Sequence, residues 1–546
     1  MTNSSEIKKA SWSVITMLAA AQFIMVLDTT VMNVSISQIV IDLNTTVIGL
    51  QTAITVYTLV MAAFMLVGGK LGDRWGAKRA FVIGMLIYGL GSLTTALSPN
   101  LGVLLVGWSF IEGFGAVLVI PAIVALTAVT YSGHQRAIAY GIIGGVSGAS
   151  AAIGPLIGGW VTTYYTWRLV FATETAVVLI LMLFLKAIPA TTGRQMKMDL
   201  KGAFLSAAGL GFAVFGILIS SQWGWVTPKD AAPFTLLGLS PVFWLIILGL
   251  VLLGAFARHE EAISKAGKEP LLDMSLLHIP RLRAGLMTLL SQQFIIMATF
   301  FVLPLYLQSV LGFDALETGK RILPLSIALF VFALGGSAVT GRYSPKRIVE
   351  IGLFGMLIGE VLLIAYTGPD LKTLGFGIAL ALVGAGLGLM ASQLSNVNMS
   401  SVPAERGSEV GGLQGTAQNL GASLGTALIG SILIASLVSN FQANVLSDPA
   451  LTSVSQELAA MAEKNANFVT TEQVHAAAEE AGLPLEQVDA ITAVYSEAQI
   501  AALRASFAGI ALFSLLALAY VRRLPTKEDE IGGQAEIKTQ PISQTG

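Results

Sequence analysis

The chain has 546 residues, of which 54% are hydrophobic and only 12% are charged, and its net charge is −1. A soluble globular domain carries about 25% charged residues, so this chain has too little polar surface to face water on all sides. Its near-neutral charge does not indicate a nucleic-acid partner, and the absence of cysteine excludes disulfides, thiolate metal sites and cysteine nucleophiles. The surplus apolar surface predicts an integral membrane protein.

A membrane-crossing helix needs about 20 mostly apolar residues, and about fourteen runs of this kind follow one another along the chain. The first run is too long for the apolar region of a cleaved signal peptide, so we expect it to remain as a span. The runs fall at 12–40, 47–69, 80–98, 101–129, 137–163, 168–188, 202–220, 237–257, 284–311, 319–340, 347–367, 372–396, 408–438 and 502–521. The sequence therefore predicts an all-α polytopic membrane protein.

The positions of the 31 Lys and Arg residues predict the orientation of these spans. Most of them fall on one side if both termini are cytoplasmic, as the positive-inside rule requires. We therefore expect a multi-pass protein of a bacterial-type plasma or inner membrane. The polar, acidic segment 440–500 would lie outside as a short helical hairpin, and residues 526–546 would form a disordered cytoplasmic tail.

The loop GGKLGDRWGAKRAF, residues 68–81, lies between the second and third spans. Its glycines permit a tight turn, and its charges have both signs. The spacing resembles the signature loop of the major facilitator superfamily. The residues that carry this resemblance are Gly69, Asp73, Arg74, Gly76, Lys78 and Arg79.

The fifth span carries a second match, to the antiporter motif of the same superfamily. Small residues of this kind let helices approach closely, and a proline kinks the helix. Two further stretches, 27–35 and 303–319, resemble the fourteen-span drug:proton antiporter branch. The matching residues of the fifth span are Gly141, Ser150 (in place of a glycine), Gly154, Pro155, Gly158 and Gly159.

The resemblance implies a major facilitator fold with two six-helix halves. These would be residues 1–190 and 261–525, with an additional transmembrane helix pair in 191–260. Segment 335–347 looks like a degenerate copy of the signature loop, as an internal repeat would leave. In this fold the substrate site lies near the bilayer midplane, between the halves.

The resemblance also implies a proton-coupled antiporter that exports small amphipathic or cationic compounds by alternating access. The proton gradient would drive it without a cofactor or metal, and its partners would be the substrate, protons and the bilayer; an accessory periplasmic partner stays open. In the family the loop acid, here Asp73, docks on the N-terminus of the penultimate helix. That end lies near Ser408, with Arg406 close by, and its dipole favours an anion.

Ionisable side chains inside a span cost at least about 2.5–3.5 kcal/mol, so each is a functional candidate. Asp28 and Glu112 lie on the first and fourth helices, which line the central cavity in this superfamily. A carboxyl in such a cavity can bind and release a proton near neutral pH, and its ionised form attracts a cation. We therefore predict that these two residues couple protons to substrate.

The other intramembrane acids, Glu174, Glu360 and Glu409, are secondary candidates. Glu174 and Glu360 lie on helices that are usually peripheral, which favours a structural role with a hydroxyl or Arg168 as partner. The sequence also departs from the family pattern, because Ser109 occupies the position of the usual fourth-helix arginine.

Other functions stay open at this stage. The same scaffold could export one specific solute or lipid precursor, or serve as a non-transporting receptor or sensor. An enzyme is disfavoured, because no nucleophile–base pair, metal-ligand spacing or phosphate-binding loop is visible. Trp108, one turn before Glu112, could stack on a flat cation.

Overall fold

The computed structural model describes residues 12–524, apart from 132, 194–198, 230–231, 269, 340–341, 400, 403–406 and 465–466. The described chain is almost entirely helical, which confirms the predicted fold class. Its long helices are α1 (Ser13–Val34), α2 (Val47–Trp75), α3 (Ala77–Ala96), α4 (Leu101–Leu104, Leu105–Glu112 and Gly113–Thr130), α5 (Gly133–Tyr164), α6 (Arg168–Leu183), α7 (Leu200–Trp223), α8 (Pro241–Lys265), α9 (Pro280–Pro304 and Leu305–Val310), α10 (Ala315–Ala338), α11 (Pro345–Tyr366), α12 (Thr373–Met399), α13 (Gly407–Ser447) and α14 (Leu485–Val521).

Twelve of the described helices are long and apolar enough to cross a membrane. The segments Ile153–Tyr164 and Arg168–Leu183, which meet at an angle of 119°, add a thirteenth span if the pair is counted as one. The expected number of about fourteen agrees approximately with this count. The difference lies at α5 and α6, which the hydropathy pattern predicts as two separate spans.

Two helices extend far beyond their predicted spans. α13 continues to Ser447 and α14 begins at Leu485, so both enter the segment predicted to lie outside the membrane. Their extensions pack together through the rings of Phe441 and Tyr495, whose centroids are 6.0 Å apart. The short helices Ser455–Lys464 and Thr471–Glu480 complete this region.

The two halves meet along two helix pairs. α2 packs against α13, where the Gln51 side chain donates to the carbonyls of Thr426 and Ala427 at 3.1 and 3.3 Å. α5 packs against α1 within its own half and against α10 of the other half. The additional helix α7 contacts both α2 and α13, while α8 packs mainly on α7. The additional pair therefore flanks the α2–α13 seam.

The same contact recurs in both halves. Arg168 of α6 donates to the Ser98 carbonyl after α3 at 3.0 Å, and Arg504 of α14 donates to the Thr367 carbonyl after α11, also at 3.0 Å. In each half, an arginine of the last helix thus binds the chain that leaves the third helix. This correspondence supports an internal repeat.

Candidate functional site

Helix α4 changes its hydrogen-bonding pattern over Leu105–Glu112, which forms a π-helix. Insertions of this kind are often found at functional sites, because they widen the helix and redirect its side chains. The stretch contains Trp108, Ser109 and Glu112, all fully buried. Gly91 of α3 allows a close approach, since a Cβ there would lie 2.5 Å from the Glu112 nitrogen.

Three acidic side chains meet inside the first half. One carboxylate oxygen each of Asp28 on α1, Glu112 on α4 and Glu174 on α6 lies within 4.8 Å of the other two. All three residues are at most 1% exposed. We call these residues the acid cluster. Glu174 lies on a helix that is usually peripheral in this superfamily, but α6 packs against α1 and α3 and brings the Glu174 side chain inward.

Trp108 fixes one member of the acid cluster. Its indole Nε1 donates to Asp28 Oδ1 at 2.8 Å and to Oδ2 at 3.0 Å. The Trp108 ring stacks on Tyr57 of α2, with the centroids 4.6 Å apart and the planes 1° apart. Trp108 is fully buried, and in the described structure its indole holds Asp28.

Two hydroxyl groups of α3 hold Glu174. Ser92 Oγ donates to Glu174 Oε2 at 3.3 Å, and the Tyr88 hydroxyl donates to the same oxygen at 3.4 Å. Of the two expected kinds of partner, Glu174 therefore has the hydroxyl, whereas Arg168 bonds to Asp42, at 3.3 Å, and to the Ser98 carbonyl.

The acid cluster lacks a basic partner within the described residues, where no salt bridge reaches it. Neither oxygen of Glu112, nor Oε1 of Glu174, has a hydrogen-bond partner there. Ser109, at the usual arginine position, donates to the Ala53 carbonyl of α2 at 2.8 Å. Three ionised carboxylates this close in a low-dielectric interior would repel one another strongly, so protons or a bound cation must neutralise part of their charge.

The other predicted acids lie elsewhere. Glu360 on α11 accepts a hydrogen bond from Ser514 of α14 at 2.8 Å, inside the second half, and is 1% exposed. Its partner is a hydroxyl, as expected. Glu409 lies in the first turn of α13, but its side chain is outside the described residues.

The antiporter-motif residues bring α5 close to α1. Ser150 Oγ donates to the Phe23 carbonyl of α1 at 3.0 Å. Gly154 lies against Thr30, where a Cβ would overlap the threonine side chain. Gly141 belongs to α5, but its surroundings are outside the described residues.

The same motif also brings α5 close to α10 of the other half. A Cβ at Gly159 would overlap the Ala315 carbonyl, and Gly319 of α10 lies equally close to the Pro155 carbonyl. Gly158 faces α1. These contacts close the end of the α5–α10 seam that is predicted to face outward.

The signature loop forms a tight connection between α2 and α3. Gly76 has φ +89°, and a Cβ there would overlap the Thr191 carbonyl. The Lys78 backbone N–H donates to Thr191 Oγ1 at 2.9 Å, and its Nζ donates to the Ile188 carbonyl at 2.6 Å. The loop therefore packs on the segment that follows α6.

The remaining loop residues have less defined roles. Arg74 and Arg79 are exposed, and Gly69 faces Pro121 of α4. The predicted contact of Asp73 with the start of α13 falls outside the described residues, as does Arg406.

Sequence reasoning missed a second polar cluster at the start of the additional helix pair. Asp199 accepts from the Gly202 N–H at 3.0 Å and thereby caps α7, and His259 Nε2 lies 3.1 Å from the same oxygen. Burial opposes ionisation of Asp199, but the Gly202 and His259 contacts outweigh it and lower its pKa. Glu260, fully buried, accepts from the Leu272 N–H at 3.0 Å. The available signals were the adjacent His259–Glu260 pair and the position of Asp199, three residues before the predicted span 202–220.

Comparison with known proteins agrees with this architecture. The family model described as "Major Facilitator Superfamily" matches residues 18–199 and 194–426. The puromycin resistance protein of Streptomyces alboniger is 29% identical, over 77% of this chain and 81% of that protein. The tetracenomycin C resistance and export protein of Streptomyces glaucescens is 28% identical, over 80% of this chain and 78% of that protein.

Solved structures show the same fold. A bacterial homologue of the human lysosomal transporter Spinster, in an inward-facing and unoccupied conformation, superimposes with a TM-score of 0.59 at 15% identity, covering 97% of this chain and 98% of that one. The chain is a multi-pass membrane protein and belongs to the Major Facilitator Superfamily of transporters.

Proposed function

We propose that this chain is a proton-driven antiporter that exports small amphipathic or cationic compounds. The observation that carries the proposal is the acid cluster: two acids from helices expected to line the cavity meet in the interior without a basic partner in the described chain. A buried carboxyl tolerates such a place only while its charge is neutralised. A proton can supply that neutralisation reversibly, which is what coupling requires.

Two further observations support export. The antiporter-motif residues form the close contacts of α5 with α1 and α10. The relatives in Streptomyces are named for resistance to puromycin and for resistance to and export of tetracenomycin C, and a relative in Mycobacterium tuberculosis, 25% identical, is named a multidrug resistance protein. We propose the same direction of transport here, across the plasma membrane and with both termini in the cytoplasm.

The mechanism we propose is exchange by alternating access. With the halves open to the proton-rich side, protons neutralise the acid cluster and substrate leaves. With the halves open to the cytoplasm, protons leave and the restored negative charge favours a cationic substrate. Trp108, as a donor to Asp28, stabilises the ionised form in that second state.

The test is transport by the purified protein in proteoliposomes, with ethidium as the fluorescent cation and an imposed pH gradient. Wild type is compared with Asp28→Asn and Glu112→Gln. A sodium gradient imposed without a pH gradient is the control for the driving ion. We expect the pH gradient alone to drive ethidium accumulation in wild type, and each variant to lose this drive. Equal accumulation in all three proteins, or accumulation driven only by sodium, would refute proton coupling through these residues.

A further inference from the structure

Glu174 lies on the last helix of the first half, yet its carboxylate belongs to the acid cluster. A purely structural carboxylate in the interior normally has both oxygens hydrogen-bonded, because an unsatisfied buried acceptor costs about 1–3 kcal/mol. Glu174 satisfies this for Oε2 only, through Ser92 and Tyr88. Its Oε1 is buried and has no partner within the described chain. This oxygen is therefore available to share a proton with the other two acids of the cluster.

Glu112 shows the same feature more strongly. It is fully buried, and neither of its oxygens has a hydrogen-bond partner in the described chain. One of its oxygens lies within 4.8 Å of an oxygen of Asp28 and of an oxygen of Glu174. Trp108 donates a hydrogen bond to Asp28, and the α3 hydroxyls donate to Glu174. Neither oxygen of Glu112 receives such a bond within the described chain. Its two acidic neighbours can satisfy it in this arrangement if a proton is shared.

We propose that Glu174 is a third proton-binding residue of the acid cluster, so that Asp28, Glu112 and Glu174 bind and release protons as one set. This inference rests on the proposed function and extends it, since the resemblance to the family placed Glu174 at the periphery. The transfer we envisage breaks the O–H bond of protonated Glu112 and forms an O–H bond on Glu174 Oε1, while the electron pair stays on Glu112. Protons and charge are conserved, and no other reactant is needed.

The groups that face Glu174 fit this assignment. Among the described residues, the titratable groups that interact with it are Asp28 from α1, Tyr57 from α2, Tyr88 from α3 and Glu112 from α4, and none of these four is basic. Arg168, at the start of α6, is held by Asp42 and the Ser98 carbonyl instead. Groups that interact so closely titrate with macroscopic pKa values that belong to the set, and mutual repulsion of their ionised forms spreads those values apart.

The chain provides a matched control for this proposal. Glu360 is also 1% exposed, also accepts from a serine hydroxyl, and also leaves one oxygen without a partner in the described residues. It bridges the third and last helices of the second half, as Glu174 and Ser92 do in the first. It differs in that no other carboxyl of the described residues acts on it. Glu174→Gln therefore removes a carboxyl that belongs to the acid cluster, and Glu360→Gln removes an equivalent carboxyl that does not.

The experiment measures two activities of each variant in proteoliposomes with ethidium: accumulation driven by a pH gradient, and one-for-one exchange of ethidium without a gradient. Glutamine keeps an oxygen that can accept from Ser92 and Tyr88 but cannot bind a proton. We expect Glu174→Gln to lose gradient-driven accumulation by at least about fivefold, while exchange stays intact. The pH dependence that remains should move to lower pH, because Asp28 and Glu112 lose a neighbour that opposes their ionisation. Glu360→Gln should keep both activities.

If Glu174→Gln loses both activities equally, the residue has a structural role and the proposal is overturned. If Glu174→Gln keeps both activities, the proposal is also overturned. If Glu174→Gln does not insert into the membrane, Glu174→Asp is tested in its place. A shifted pH dependence of ethidium accumulation supports proton binding by this residue, and an unchanged pH dependence contradicts it. If Asp28→Asn abolishes gradient-driven accumulation and Glu174→Gln leaves it unchanged, only the inference about Glu174 is contradicted. If Asp28→Asn and Glu112→Gln both keep gradient-driven accumulation, the proposed function itself is contradicted.

Discussion

The indole of Trp108 and the carboxylate of Asp28 link α4 to α1 at the centre of the first half, through bonds of 2.8 and 3.0 Å to the two oxygens of one carboxylate. The bond starts from a π-helical turn and ends on a fully buried acid. A donor placed in this way favours the ionised carboxylate, so it sets how readily Asp28 releases its proton.

Trp108→Phe is expected to shift the pH dependence of transport upward. The substitution keeps a ring to stack on Tyr57 and removes the donor to Asp28. A hydrogen bond to a charged group contributes about 1.5–3 kcal/mol, which corresponds to about one to two pH units. Loss of a donor to the ionised form lets the acid keep its proton to higher pH, so the midpoint of gradient-driven ethidium transport should rise by that amount.

The control for this prediction is Trp244→Phe. Trp244 donates to the Leu236 carbonyl at 3.1 Å, far along the chain from the acid cluster. This variant should keep the wild-type midpoint. A Trp108→Phe midpoint that equals the control, or that moves to lower pH, would contradict the role given to the indole.

Gly159→Ala is expected to abolish transport while leaving the protein in the membrane. Its new methyl group would overlap the Ala315 carbonyl and push α5 away from α10. Overpacking of this kind costs about 1–3 kcal/mol, enough to disfavour the conformation in which this seam is closed. Gly145→Ala on the same helix is the control, because a Cβ there meets nothing within 4 Å. Ethidium transport by the two variants, at equal protein content, checks the prediction; similar rates would argue against a tight α5–α10 contact.

Gly76→Ala is expected to lower thermal stability more than Gly482→Ala. Both glycines have positive φ, +89° and +74°, which costs an alanine about 1–3 kcal/mol. Only Gly76 also has a backbone atom in the way, the Thr191 carbonyl. Unfolding of the purified variants in detergent measures the difference. A larger loss in Gly482→Ala would show that the signature loop does not pack on the segment after α6.

Asp73→Asn is expected to open the side that carries the signature loop. The family resemblance implies that this acid closes that side against the start of α13, and asparagine removes its charge. The chain has no cysteine, so one introduced as Met65→Cys can be labelled without background. Met65 is buried on α2 and faces Gly415 of α13, so its labelling rate reports separation of these helices. The rate should rise in Asp73→Asn; an unchanged rate would leave the loop acid without a gating role.

The sequence predicts the membrane fold well because hydropathy reports burial in lipid directly. It fails for the ends of α13 and α14, which continue beyond the predicted spans. The extensions of α13 and α14 are stabilised by contacts such as Phe441 with Tyr495, between residues that are distant in sequence. No apolar run marks such an extension, so the predicted spans end too early.

The acid cluster was predictable in part. The cost of burying a carboxyl identifies Asp28, Glu112 and Glu174 individually, and the family resemblance brings the first two together. That resemblance assigns a helix to the periphery or the centre, but does not say which face of it carries an acid. The π-helical turn of α4 and the pairing of Trp108 with Asp28 depend on tertiary packing, which no local pattern indicates.

The most direct test of the account is the release of protons when substrate binds to the purified protein in weakly buffered detergent solution. Ethidium is added to wild type and to the Asp28→Asn/Glu112→Gln double variant, and a pH indicator records the protons released. We predict that wild type releases protons in proportion to bound ethidium and that the double variant binds ethidium without this release. Equal proton release by both proteins would contradict the claim that these buried acids exchange protons for substrate.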